Sequence, residues 1–265
     1  MLHPVGPMIL SGPVVHALDK APSVLRAYRE AVRNMPDEAT CWFVLRKALL
    51  LPFLKPEHHG RPVLILAMAY AGSIEKGEVA LRPLRNIGAP LADGVSPHPY
   101  ASWQAAFDPL VAPRARNYWK SNDFTELTDD VIDLMVAATE TLPTDECEIF
   151  TAQLGGAAGR IAEDATAYPH RGTQFTMNIH GRWQTSGDDE KGIAWVRDLY
   201  ERSAPLSRGS VYINFVPEAG EVRSVGPFGA NESRLRKIKS QFDPANMFRA
   251  NVTIEPLNIL GTASL

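Results

Sequence analysis

Tyr168, His170 and Arg171 share one short run, Tyr-Pro-His-Arg, and Tyr212 stands two places before Asn214. These side chains have the types and spacing that chemistry needs. A histidine and a phenol in one loop supply candidate acid and base groups, and an arginine beside them can hold a carboxylate. Plainer accounts also fit: a loop histidine bonded to backbone, and an arginine in an exposed ion pair. Tyr212-Ile213-Asn214-Phe215 reads as a short strand, which puts Tyr212 and Asn214 on one face and Ile213 and Phe215 on the other. A phenol and an amide on one face can together hydrogen-bond a substrate carbonyl. The plainer account is a half-buried strand aromatic followed by a strand-end cap. His180, on a strand, is a weaker candidate. His58 and His59 follow Glu57 in a loop without further ligands at metal-binding spacing, so no metal site is expected. Gly155, Gly156 and Gly159 lack the strand–loop–helix setting and acidic partner of a dinucleotide fingerprint and read as a tight turn.

The elements that must position these groups follow from periodicity and punctuation. A helix is expected over 18–35, with Asp19 as N-cap and Val24, Leu25, Tyr28 and Val32 on one face, stopped by Pro36. Strands are expected from Thr40 to Leu50 and from Val63 to Ala71, joined by a proline-rich connector. A helix over 72–87 carries Pro83, which predicts a kink or an early end. Residues 88–118 read as loop with a short helix around Tyr100 to Phe107. Thr128 opens the clearest helix, with two acidic residues in its first turn and an end before Pro143. Strands at Cys147 to Leu154 and Gln174 to His180 follow, then a helix from Asp188 to Arg202 and another over 231–242 whose apolar side is Leu235, Ile238 and Phe242. The last strands lack the continuous Val/Ile/Leu character of a parallel sheet. The fold class is therefore α+β: a large, mainly antiparallel sheet with helices packed on one face, plus a C-terminal strand-helix segment.

Bulk properties set the frame. The 265 residues are 45% hydrophobic and 22% charged, with a formal net charge of -3, as in an ordinary globular protein. No basic stripe points to nucleic acid, and no apolar run approaches the length of a membrane helix. The N-terminus has no secretory pattern. Cys41 and Cys147 lie in apolar, strand-like runs and read as buried structural thiols, which fits a reducing, cytoplasmic location.

The run from Tyr212 to Pro256 orders a strand, a loop, an amphipathic helix, the turn Asp243-Pro244-x-Asn246-x-Phe248 and an extended close. It resembles the segment that ends the berberine-bridge-enzyme-like FAD-linked oxidases of the vanillyl-alcohol-oxidase superfamily. Residues 148–183 resemble the substrate-domain stretch of the same oxidases, with Gly-Gly-Ala, Tyr-Pro-His-Arg and a closing Trp183. The opening Leu-His-Pro-Val-Gly-Pro resembles the point where their FAD domain hands over to the substrate domain. The resemblance covers essentially the whole chain and only the C-terminal half of the family. It implies that residues 1–9 are a remnant of the FAD-domain boundary, 10–205 a substrate-binding domain and 206–265 the berberine-bridge-type segment.

It further implies FAD as cofactor, with Tyr212, Asn214 and Asn251 near the flavin, and hydride transfer from a carbon donor with O2 as acceptor. The FAD-binding half would lie outside this chain. Implied partners are therefore a small-molecule substrate and either a separate FAD-binding half or a second copy in a homo-oligomer. Phe215 and Phe228 stand where relatives often carry tyrosine, and Thr253 replaces a second asparagine. Phenylalanine has no proton to exchange, so His170 and Tyr168 are the replacement candidates for the catalytic base. The competing readings are a non-catalytic module that binds a small molecule or protein, and an inactive truncated fragment.

Overall fold

A computed structural model of the chain describes residues 5–216, 227–249 and 252–257. Its elements in chain order are β1 (Met8–Ala17), α1 (Ala21–Val32), β2 (Ala39–Lys47), β3 (Pro62–Tyr70), α2 (Ile74–Arg85), β4 (Ala92–Asp93), β5 (Ser96–Pro99), α3 (Tyr100–Ala105), β6 (Arg116–Phe124), α4 (Asp129–Glu140), β7 (Glu148–Gln153), α5 (Gly156–Gly159), β8 (Phe175–Trp183), α6 (Asp189–Ser203) and α7 (Glu232–Phe242). The strands form one eight-stranded sheet of order β4-β1-β3-β2-β7-β8-β6, with β5 also paired to β1. All pairings among the described residues are antiparallel. The β2–β7 ladder, from Phe43↔Thr151 to Arg46↔Glu148, joins an N-terminal half of the sheet to a C-terminal half.

Strand alternation decides what each face meets. Cys41, Phe43 and Leu45 of β2, Leu64, Leu66 and Met68 of β3, Ile149 of β7 and Met177 and Ile179 of β8 point to one side. There they form a continuous core with Leu25 and Tyr28 of α1, Leu81 and Leu84 of α2, Ile132 and Met135 of α4 and Val196 and Leu199 of α6. Each such side chain contributes about 1.5–3 kcal/mol by leaving water. Tyr28 is fully buried because its hydroxyl donates to the Cys41 carbonyl at 2.7 Å. Cys41 and Cys147 are buried free thiols, and burial pushes the Cys41 thiol far up. The opposite face carries the intervening residues, among them Trp42, Arg46, Glu148, Phe150, Thr176 and Asp123, and the four long helices leave it uncovered.

Helices and strands open where the chemistry calls for them. Thr128 caps α4 by accepting from the Val131 N–H, and Asp129 and Asp130 occupy its positive end. Three expectations fail. Helix α2 continues through Pro83 to Arg85, since the proline falls in the last turn, close to where the ladder ends anyway. The loop expected over 88–118 contains β4 and β5 and runs into β6. Residues 8–17, unassigned from periodicity, form β1. There Gly12 and Pro13 interrupt the apolar pattern but fall in the gap between β4 and β5, where Pro13 has no ladder bond to donate and its carbonyl accepts from Gly94 at 2.8 Å.

Candidate functional site

The loop 160–174 and the chain after α6 meet over the uncovered face beside β7 and β8, around a pocket of about 340 Å³. Phe150 and Ala152 of β7 and Thr176 of β8 form its floor, with Tyr168, His170, Tyr212 and Phe215 around the sides. The pocket therefore brings together four of the sequence candidates, Tyr168, His170, Arg171 and Tyr212. The Tyr168 ring stands edge-on to both His170 (5.7 Å between centroids) and Tyr212 (6.1 Å).

Residues 212–215 are not a strand. No other described strand pairs with them, so the backbone closes on itself: Ile213–Phe215 is a turn of 3-10 helix, with Phe215 N–H donating to the Tyr212 carbonyl at 2.8 Å. A 3-10 turn places residues i and i+3 over one another, and the Tyr212 and Phe215 rings meet edge-on at 5.2 Å. Phe215 consequently lines the pocket beside Tyr212 rather than facing away from it. Asn214 is exposed and donates from Nδ2 to the Tyr212 Oη at 2.7 Å, outside the pocket lining. Asn251 lies outside the described residues.

The wall is short of hydrogen-bond partners. Among the described residues, buried His170 Nε2 has no hydrogen-bond partner, and buried Tyr168 Oη and Thr173 Oγ1 have none beyond each other. A buried polar atom without a partner costs about 1–3 kcal/mol, so this under-bonded wall is a prepared surface for a polar ligand edge. Among the described residues Arg171 makes no ion pair. Its guanidinium stacks over the Tyr168 ring at 5.0 Å and donates to the Ala158 carbonyl (3.1 Å) and Thr166 Oγ1 (2.6 Å), which fixes the loop.

Behind the wall lies Asp123, which the sequence reading missed. Register puts it opposite Thr176, whose hydroxyl donates to Asp123 Oδ1 at 2.9 Å, while the Ser210 hydroxyl donates to Oδ2 at 3.0 Å. Burial raises its pKa against the opposing pull of those two hydroxyls and of His170 and Arg208. Tyr168 is also raised, first by burial and then by the Asp123 charge, so its phenol stays protonated at neutral pH. The one available signal was the polar alternation Ser121-x-Asp123, which acquires meaning only once β6 is recognised as a strand. His180 does not join this group; it faces Asn117 at 3.0 Å further along β8.

The C-terminal segment is locked to the same loop. Asn231 Nδ2 donates to the Glu163 and Thr166 carbonyls at 2.6 and 3.0 Å, and Arg234 to the Asp164 carbonyl at 2.9 Å. Gly229, at φ 44°, approaches Pro169 and His170 so closely that a Cβ would lie 3.2 Å from the proline ring. Asp243 organises the turn after α7. Its carboxylate accepts from Lys239 and from the Met247 and Phe248 N–H groups, and the lysine contact first, against a small desolvation cost, lowers its pKa to about 2.

This antiparallel, one-side-covered sheet with its C-terminal appendage defines a class. Residues 211–255 match the family model described as berberine and berberine like. The chain is 26% identical over 261 residues, 97% of its length and 54% of the relative's, to an FAD-linked oxidoreductase of Dictyostelium discoideum. It is 28% identical over 181 residues to the FAD-linked oxidoreductase YgaK of Bacillus subtilis, covering 67% of this chain and 40% of that protein. Among solved structures it superposes on the berberine-bridge-enzyme-like protein 28 of Arabidopsis thaliana with a TM-score of 0.79 at 17% identity, over 96% of this chain and 58% of the other. A second is Phl p 4, a grass pollen allergen with glucose dehydrogenase activity, at a TM-score of 0.77 and 15% identity, over 96% and 56%. The chain is thus similar to berberine-bridge-enzyme-like FAD-linked oxidoreductases in its C-terminal segment and in its fold, and it spans about half the length of the proteins it matches.

Proposed function

We propose that this chain is the substrate-side portion of an FAD-dependent oxidoreductase that oxidises a carbon donor, with O2 as acceptor and the main FAD-binding half supplied elsewhere. Residues 10–205 form its substrate-binding domain and 206–265 its flavin-side segment. The observation that carries the reading is the row of under-bonded buried atoms, Tyr168 Oη, His170 Nε2 and Thr173 Oγ1, beside the segment that matches the family model. Such a row suits the heteroatom-rich edge of a flavin or of a substrate held against it.

When bound, the flavin supplies the hydride-accepting chemistry, and the chain supplies orientation and proton handling. Tyr212, with Asn214 bonded to it, and Asn251 would hold the cofactor's edge. Tyr168, kept protonated by burial, would donate a hydrogen bond. His170 Nε2 is the pocket-wall atom suited to taking a proton, since Phe215 has none to exchange. Phe150, Ala152 and Phe215 exclude water from this edge.

The test is the absorbance of the purified chain after incubation with FAD and desalting, alone and co-expressed with the part of the Dictyostelium relative that this chain does not match. A retained band near ~450 nm, lost or reduced at least tenfold in Tyr168→Phe and Tyr212→Ala, is expected. A folded chain that retains no flavin in either setting is instead the non-catalytic module.

A further inference from the structure

A second and larger cavity, of about 860 Å³, opens on the same uncovered face near the middle of the sheet. Its floor is Trp42 of β2 and Phe150 of β7, so it adjoins the smaller pocket through Phe150. Its roof is α3 and the 3-10 turn Asp108–Val111, folded over from β5. Floor and roof meet through aromatic contacts: Trp42 lies 5.9 Å from Trp103 and 5.5 Å from Phe107, and those two are edge-on at 5.1 Å.

Two features mark this as a built site rather than a packing gap. The roof carries Trp103, Phe107, Leu110 and Val111 yet buries none of its residues, so its apolar side faces space that an occupant would fill. Its polar lining is Asp93, Ser96, His98, Ser102 and one buried pair, in which Arg46 Nη1 donates to Glu148 Oε2 at 2.6 Å and Arg46 Nε to the Lys47 carbonyl at 3.3 Å. Among the described residues no hydrogen bond occupies Arg46 Nη2, on a side chain that lines the cavity. The pair is internally neutral, so it offers one donor without demanding an anion.

We infer that this cavity is the place of the substrate's body, and that the substrate is a flat, uncharged aromatic of two or three fused rings bearing a phenolic or carbonyl oxygen that accepts from Arg46. Rings of this size fit within the cavity with room for substituents and match the edge-and-face surfaces of Trp42, Trp103 and Phe107. A sugar would find partners in Asp93, Ser96, His98 and Ser102 but leave most of its hydroxyls unpaired against the apolar remainder of the lining. Assigning the occupant as substrate rests on the FAD-oxidoreductase reading; the binding itself does not.

Isothermal titration of the full chain, with no flavin present, tests it with 2-naphthol and, as a polar ligand of similar bulk, cellobiose. 2-Naphthol is expected to fill one site with a Kd of about 100 μM or tighter, and cellobiose to give no saturable heat. Phe107→Ala and Leu110→Trp, both on the partly exposed roof, should each weaken 2-naphthol at least tenfold while thermal unfolding stays unchanged. Replacing the polar pair together, Arg46→Met/Glu148→Met, should weaken it at least threefold without leaving a buried charge alone. Absence of saturable 2-naphthol binding by the folded chain, indifference to both roof variants, or preference for cellobiose would each overturn the assignment. Flavin retention is a separate readout, so failure here and failure of the cofactor proposal are distinguishable.

Discussion

Asp123 is the residue whose chemistry can be read without any ligand. Its folded pKa is raised above 3.8 by burial, so the folded chain binds the proton more tightly than the unfolded chain does. Its contribution to stability is therefore greatest in acid and falls as pH rises through 3.8 toward the raised folded value. Asp123→Asn should remove that slope. In urea melts at pH 4 and pH 7, the variant is expected to gain on the parent at pH 7 relative to pH 4. Equal differences at the two pH values would show that Asp123 is not held against its own charge. Tyr168, His170 and Tyr212 were legible as a set because the sequence keeps them in two short runs. Asp123, Thr173 and Ser210 were not: their roles depend on which strand lies opposite which, and register is set across the sheet rather than along the chain.

Elements with a single strong period were legible nearly to their ends, as with α1, α4, α6, β2 and β3. Those that failed share a cause, which is that tertiary neighbours override local preference. Tyr212–Phe215 has strand-forming residues, but without a partner strand it turns back on itself. The apolar side expected of α7 exists, yet the helix buries none of its residues and Ile238 and Phe242 are 43% and 77% exposed. In β1, Gly12 hides the strand from pattern reading and is also the reason the strand works. At φ 153° its absent side chain admits the β4–β5 link, and a Cβ would lie 2.3 Å from the Gly94 carbonyl oxygen. Gly12→Ala should thus cost about 2–4 kcal/mol through backbone displacement. A drop in the urea midpoint with unchanged slope would bear this out, and an unaltered midpoint would refute the close approach.

At the scale of the molecule, two faces of one sheet have separate duties. The helix-covered face supplies stability through a continuous apolar core, and the other gathers the polar residues and both cavities. That division was legible in outline, since an antiparallel sheet with one packed face needs only alternation and helices of the right length. The positions of the cavities were not, because the α3 roof has no periodic signal of its own and is fixed by contacts to the sheet.

The junction between β2 and β7 sets the order in which the chain can assemble. Strands β2 and β3 close a short connection, with Lys47 opposite Pro62, whereas Arg46 meets Glu148 across 102 residues. Loop-closure entropy makes the longer link dearer by about 2 kcal/mol before any contact rewards it. The two halves of the sheet should therefore acquire structure separately and zip together last. In pulse-labelled hydrogen exchange during refolding, β2 amides that donate to β3 should gain protection before those that donate to β7; simultaneous protection would mean that the sheet forms in one step. Until that final closure the aromatic cavity has only half its floor, because Trp42 arrives with β2 and Phe150 with β7, whereas the polar pocket, floored by β7 and β8 alone, belongs to one half.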